Sequence, residues 1–133
     1  MSRTTALCAS ERREESSHMQ RILVIEDEFF VAAHIEHVLE GEGVEVIGPV
    51  GSLQEAMQLA RNVTVDGALL DVNIDGGRID DVAEILARKC VPFVFVTAYG
   101  RDNLPPAHRE AGVVDKPFKD EDLLREVRRF QTH

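Results

Sequence analysis

The sequence predicts an α/β domain in which helices cover both faces of a parallel sheet. Three observations predict it. Short apolar runs alternate with amphipathic stretches five times between Arg21 and Phe130. The three most apolar runs, Ile22-Leu23-Val24-Ile25, Ala68-Leu69-Leu70 and Phe93-Val94-Phe95-Val96, are continuous, as strands buried on both faces are. Four runs also end in polar groups, at Glu26-Asp27, Asp71, Thr97 and Asp115-Lys116. A parallel sheet gathers such ends along one edge, where ligands bind in open α/β sheets.

Residues 10–17 are almost wholly charged or hydroxylated and cannot bury enough apolar surface to order themselves. The expectation is a flexible tail over 1–19 and a folded domain over 20–133, with Met19 a candidate natural start. The first strand covers 21–26. The first helix covers 28–40, with Val31, Ile35, Val38 and Leu39 on one face and Gly41 and Gly43 at its end. One of Phe29 and Phe30 is expected to pack inward. The second strand, 44–47, alternates like an edge strand, and Gly48-Pro49 is expected to break it.

Ser52-Leu53-Gln54-Glu55 is a capping box that opens the second helix, with Ala56, Leu59, Ala60 and Val63 as its buried stripe. The third strand starts at Asp66 or Gly67 and ends at Asp71. The loop Asp75-Gly76-Gly77 leads into a third helix, where Ile79, Val82, Ala83 and Leu86 repeat at helical spacing. The fourth strand covers 93–96. Proline fits only the first turn of a helix, so Pro105-Pro106 leaves the fourth helix short or distorted, over 106–110. The fifth strand covers 112–115. The fifth helix covers 120–130 and turns Leu123, Leu124, Val127 and Phe130 inward. Right-handed crossovers and the flavodoxin-like order 2-1-3-4-5 put strands one, three and four at the centre.

Composition bounds the partners. The chain has 133 residues, 44% hydrophobic and 29% charged, enough for one domain with one core. A formal net charge of −9 argues against nucleic acid as a direct partner, because phosphate contacts need clustered Lys and Arg. Arg125, Arg128 and Arg129 alternate with acidic residues and read as a solvated helix face. No apolar run approaches the roughly 18 residues of a membrane helix, and no secretory signal follows Arg3, Arg12 and Arg13. The expected compartment is the cytoplasm. Cys8 and Cys90 make no disulfide framework or metal site, and Cys90 reads as a buried small hydrophobe.

Glu26, Asp27 and Asp71 fall on adjacent central strands. Carboxylates in one cleft raise each other's pKa unless a cation is present. With no Cys or His beside them, an all-oxygen site of few ligands suits Mg2+. A backbone carbonyl just past the third strand, such as that of Asn73, would complete the shell. One of the carboxylates can act as a nucleophile and form an aspartyl phosphate. Lys116 supplies a compact positive charge for a phosphoryl oxygen, and Thr97 a hydroxyl for another. No general base is needed, because a carboxylate is already ionised at neutral pH. Gly76-Gly77 is a turn, since no glycine-rich loop follows the first strand. His34 and His37 lack a third ligand and read as a solvent-facing pair.

Residues 20–131 resemble a response-regulator receiver domain, through Glu26-Asp27, Asp71, Thr97-Ala98 and Lys116-Pro117-Phe118 in order and spacing. The resemblance implies that Asp71 is the phosphoacceptor. It implies that Glu26, Asp27, Asp71 and the Asn73 carbonyl hold Mg2+, and that Thr97 and Lys116 meet the phosphoryl oxygens. It also implies a cis peptide before Pro117. Residues 92–100 are similar to the signature of a subgroup of stand-alone receivers, which usually reads Phe-Ala-Thr-Gly-Tyr where this chain has Phe95-Val96-Thr97-Ala98-Tyr99. Many receivers carry a switch aromatic three residues before the Lys. Here that position is Val113, so Tyr99, next to Thr97, is the candidate switch aromatic.

The implied function is a signalling domain rather than an enzyme. It accepts phosphate from a histidine kinase or a histidine phosphotransfer protein, then acts on an unidentified output protein or serves as a phosphate sink. The residues also admit a Mg2+-dependent phosphohydrolase working through an aspartyl phosphate, although Asp71-Val72-Asn73 lacks the second carboxylate of such enzymes. A flavin-binding module on the same fold is disfavoured by the absence of Trp and of a phosphate-cradling loop.

Overall fold

A computed structural model describes residues 19–130. The tail expected over 1–19 lies outside them except for Met19, which is exposed. The elements are β1 (Arg21–Ile25), α1 (Phe29–Gly41), β2 (Glu45–Val50), α2 (Leu53–Asn62), β3 (Gly67–Leu70), β4 (Asn73–Ile74), β5 (Gly77–Arg78), α3 (Asp80–Arg88), β6 (Phe93–Thr97), β7 (Gly112–Asp115) and α4 (Asp120–Arg129). The main sheet is parallel in the order β2-β1-β3-β6-β7, which is 2-1-3-4-5 for its five strands, as expected.

Alternation along the strands builds two cores. Leu23, Ile25, Ala68, Leu70 and Phe95 face Ala56 and Ala60 of α2 and Val82, Ala83 and Leu86 of α3. Ile22, Val24, Leu69, Val94 and Val96 face Ile35, Val38 and Leu39 of α1 and Leu123 and Val127 of α4. Successive strand residues point to opposite faces, so a continuous apolar run is what a doubly covered strand requires. Ser52 caps α2 as the capping box requires, its hydroxyl accepting from the Glu55 N–H at 3.2 Å.

Gly48-Pro49 does not end the second strand. β2 runs on to Val50 through a cis Gly48–Pro49 bond. Leu23 pairs with Ile47 and Ile25 with Val50, so the extra residue of β2 is absorbed in a bulge. Gly48 has φ 102° and no room for a Cβ, which would sit 2.9 Å from the Val24 carbonyl oxygen. The loop Asp75-Gly76-Gly77 is the tip of a small antiparallel hairpin, β4–β5, whose two-residue strands are too short to show a period. The helix expected over 106–110 is replaced by two single 3-10 turns, Arg101–Asn103 and Pro106–His108.

Two smaller expectations also change. Phe29 and Phe30 are both exposed, at 76% and 82%, because α1 buries the stripe Ala32, Ile35, Val38 and Leu39 and turns positions 29 and 30 away from it. Cys90 is half-buried at φ 62° and is not a free thiol. His34 and His37 are both exposed, as expected, and His34 Nε2 lies 2.8 Å from Asp120 Oδ1 with its ring against Phe118.

Candidate functional site

Register brings the polar strand ends together. Ile25 aligns with Leu70, Leu70 with Phe95, and Thr97 with Asp115. The Asp71 N–H donates to the Ile25 carbonyl and the Lys116 N–H to the Thr97 carbonyl, each at 2.9 Å, carrying the ladder one residue past the strands. Alternation then decides the faces. Glu26 follows Ile22 and Val24, Asp71 follows Leu69, and Lys116 follows Val114, all on the α1/α4 side. By the same count Thr97, after Phe95, falls on the α2/α3 side.

The three side chains of the α1/α4 side meet. Lys116 Nζ lies 2.8 Å from Glu26 Oε1 and 3.4 Å from Asp71 Oδ2. It also lies 3.2 Å from Glu28 Oε1. Glu26 is 3% exposed and Asp71 8%. Glu26 Oε2 accepts the Glu28 N–H at 3.1 Å. Its Oε1 is buried and faces the ammonium as an ion pair, without the alignment of a hydrogen bond.

Burial shapes the ionisation. It pushes the Glu26 carboxyl up to about 7; Lys116 and the Glu28 N–H pull against it, and the Asp71 charge pushes with it. Burial and then the Asp71 charge hold the Asp27 carboxyl above its ordinary range. For Lys116, burial alone would lower the value. Glu26, Asp71 and Glu28 together outweigh that and keep the ammonium charged.

The donor set fits a hard divalent cation. Glu26, Asp27 and Asp71 can each place one carboxylate oxygen so that all three lie within 4.8 Å of one another. The buried Glu26 Oε1 has no hydrogen-bond donor, and the charge of Asp71 bears on both Glu26 and Asp27, a repulsion that a cation would relieve. Asn73 can add its carbonyl. The Ile79 N–H donates to the Val72 carbonyl, which makes Asn73 and Arg78 the non-hydrogen-bonded pair of the hairpin. The Asn73 carbonyl is therefore not consumed by the β5 strand. The wall behind Asp27 is the loop after β2, where a Cβ on Gly51 would come 3.0 Å from the Asp27 Cα.

Thr97 is fully buried, and its hydroxyl accepts the Tyr99 N–H at 3.2 Å, which leaves the hydroxyl proton to donate elsewhere. The Tyr99 ring is 69% exposed. With Asn73, Asp102 and Asn103 it lines an open depression of about 490 Å³. The Lys116–Pro117 bond is cis. Glu26, Asp27, Asp71 and Lys116 thus converge on one point, and Thr97 and Tyr99 stand at the neighbouring strand end. Glu28 is the contact that sequence reasoning missed. The signal was present, since a third carboxylate follows Glu26-Asp27, but helix periodicity assigns Glu28 to the start of α1 and says nothing of a partner in Lys116.

The response regulator receiver domain model matches residues 22–128. Among curated proteins, the transcriptional regulatory protein PdtaR of Mycobacterium tuberculosis is 34% identical over 111 residues, covering 79% of this chain and 53% of PdtaR. The phyllosphere-induced regulator PhyR of Methylorubrum extorquens is 35% identical over 102 residues, covering 74% of this chain and 38% of PhyR. The chain spans about half or less of the length of these relatives. Among solved structures, SdrG from Sphingomonas melonis superimposes with a TM-score of 0.74 at 32% identity, covering 84% of this chain and 96% of SdrG. The receiver domain of the sensor histidine kinase PA1611 from Pseudomonas aeruginosa, solved with a magnesium ion in its active-site cleft, gives a TM-score of 0.75 at 23% identity, covering 87% of this chain and all of that one.

Proposed function

This chain belongs to the response regulator receiver domain family, and we propose that its Asp71 accepts a phosphoryl group from a phosphohistidine of a histidine kinase or histidine phosphotransfer protein. The observation that carries this reading is the Lys116 ammonium, held 3.4 Å from Asp71 and 2.8 Å from Glu26 beside a cluster of three carboxylates.

The step is a displacement at phosphorus. An Asp71 oxygen forms the new O–P bond, the N–P bond of the phosphohistidine breaks, and its electron pair returns to the imidazole nitrogen. Lys116 and the Thr97 hydroxyl receive the phosphoryl oxygens, and the buried walls of Glu26 and Asp71 keep those contacts from being diluted by water. Glu26, Asp27, Asp71 and the Asn73 carbonyl would hold Mg2+, which when bound offsets charge on the transferring group. In a separate onward step water attacks phosphorus, the bond from phosphorus to the Asp71 oxygen breaks, and phosphate leaves as the carboxylate is regenerated.

Phosphorylation at Asp71 draws the Thr97 hydroxyl toward the new oxygens. That movement strains the Thr97–Tyr99 contact and makes the exposed Tyr99 ring the element that moves. Output follows by contact with another protein, or the domain drains phosphate from its donor. Incubation of the full chain with Mg2+ and acetyl phosphate tests the reading by intact mass. The expected result is one phosphoryl group, lost slowly, and none on Asp71→Asn. Continuous phosphate release from a small phosphomonoester, with no labelled protein, would point to a phosphohydrolase instead.

A further inference from the structure

We infer that Glu28 is a positioning residue, occupying in the unphosphorylated domain the place on Lys116 that a phosphoryl oxygen must take. The inference rests on the phosphoacceptor reading of Asp71. An ammonium has three donors, and Lys116 faces three carboxylates, those of Glu26, Glu28 and Asp71. Glu28 and Asp71 hold two of those donors in hydrogen bonds and the buried Glu26 carboxylate crowds the ammonium as an ion pair, so an arriving phosphoryl oxygen competes with all three.

The three are not equally displaceable. Glu26 and Asp71 are buried one residue past their strands, each tied by its backbone N–H into the ladder. Glu28 has a side chain 63% exposed and can swing into water without leaving a buried charge behind. Its position is also unusual for a helix start. Glu28 is the N-cap of α1, yet its side chain makes no cap hydrogen bond. It reaches instead to a lysine 88 residues away in sequence.

Charge acts in the same direction. Once phosphorylated, the Asp71 carboxyl becomes an acyl phosphate, losing its own charge and gaining a dianionic phosphoryl group. Glu28 then confronts like charge and leaves. It thus holds Lys116 in place before transfer and opposes the arrival of the phosphoryl group, which sets the rate of labelling and the affinity for phosphoryl mimics.

The test compares wild type, Glu28→Gln and Glu28→Asp in the full chain. Readouts are the rate of labelling by acetyl phosphate with Mg2+, and the half-saturating concentrations of beryllofluoride and of Mg2+ alone. Gln removes the charge and Asp, one methylene shorter, removes the reach. Both variants are expected to label about two- to five-fold faster, the worth of a partly exposed ion pair. Both should bind beryllofluoride tighter by a similar factor, with no gain in Mg2+ affinity and no change in thermal midpoint. Glu28→Gln labelling at the wild-type rate overturns the inference while leaving Asp71 as acceptor. Glu28→Asp behaving as wild type while Glu28→Gln speeds up also overturns it, because distant charge would then suffice. A wild-type chain that takes no phosphoryl group overturns both readings.

Discussion

The two sides of the strand-end cleft are built differently. On the α1/α4 side, Glu26, Asp71 and Lys116 hang from strands whose ladder continues past their ends, and they are buried against one another. On the other side, beyond Thr97 and Tyr99, the crossover to β7 has no helix. Its two short turns close on local backbone hydrogen bonds, such as Leu104 N–H to the Arg101 carbonyl and His108 N–H to the Pro105 carbonyl, and are tied to their surroundings by side chains bonded to backbone carbonyls. Arg101 donates to the Arg109 and Ala111 carbonyls, each at 2.8 Å, and Arg78 to the Asn103 carbonyl at 3.1 Å. Leu104 and Pro105 are the buried residues of 100–111. The difference teaches a division of labour. The side proposed to hold the phosphoryl group is fixed by backbone, while the side proposed to report it rests on a few exchangeable bonds and opens at low cost.

The sharpest way to break this comparison is at the acceptor. Asp71→Asn is expected to abolish labelling by acetyl phosphate while leaving amide exchange over residues 100–111 as in the unphosphorylated wild type. Wild type should show altered exchange there once labelled. Next in size is the shared core. Phe95→Ala removes a fully buried ring and should cost about 3–5 kcal/mol of global stability in urea unfolding.

The ionisation of the fixed side gives the third effect. The Glu26 carboxyl rises from 4.5 to about 7 on folding, so between those values the folded state binds the extra proton. Stability of the metal-free protein should therefore fall as pH rises through this window, by something on the order of 2–3 kcal/mol. Asp27 contributes in the same sense. Added Mg2+ competes with that proton, so its affinity should rise with pH and its binding should release protons, as calorimetry in two buffers would show.

Perturbing the loose side should do less. Leu104→Ala should cost about 2 kcal/mol, near the low end for a buried leucine, because the segment can settle around the gap. Arg101→Ala removes two hydrogen bonds from a largely exposed segment. It should change global stability by about 1 kcal/mol or less while accelerating exchange over residues 101–111 alone. Equal acceleration across β1 and β3 would show that the two sides are not separable.

The fixed side was legible in the sequence because each of its residues closes an apolar run. Glu26, Asp71 and Lys116 are placed by counting along strands, as is Thr97 across the cleft, and the Ser52 cap by a local hydrogen-bond pattern. The loose side was legible only as a prohibition, with Pro105-Pro106 ruling out a regular helix but not specifying the arginine tethers that replace it. The β4–β5 hairpin escaped because two-residue strands carry no period. β2 outran its Gly48-Pro49 because a bulge accommodates what a flat strand would not. Glu28 was missed for a similar reason: its partner is set by the register of β1, β3, β6 and β7, which pattern reading does not resolve to a single side chain.

The central claim is that Asp71 itself carries the phosphoryl group, and borohydride reduction tests it most directly. An acyl phosphate at an aspartate is reduced to homoserine, which changes that residue's mass in a peptide digest. After treatment with acetyl phosphate and Mg2+, homoserine is expected at position 71 and nowhere else. Reduction at Glu26 or Asp27 instead, or at no position in protein shown to have been labelled, would contradict the account.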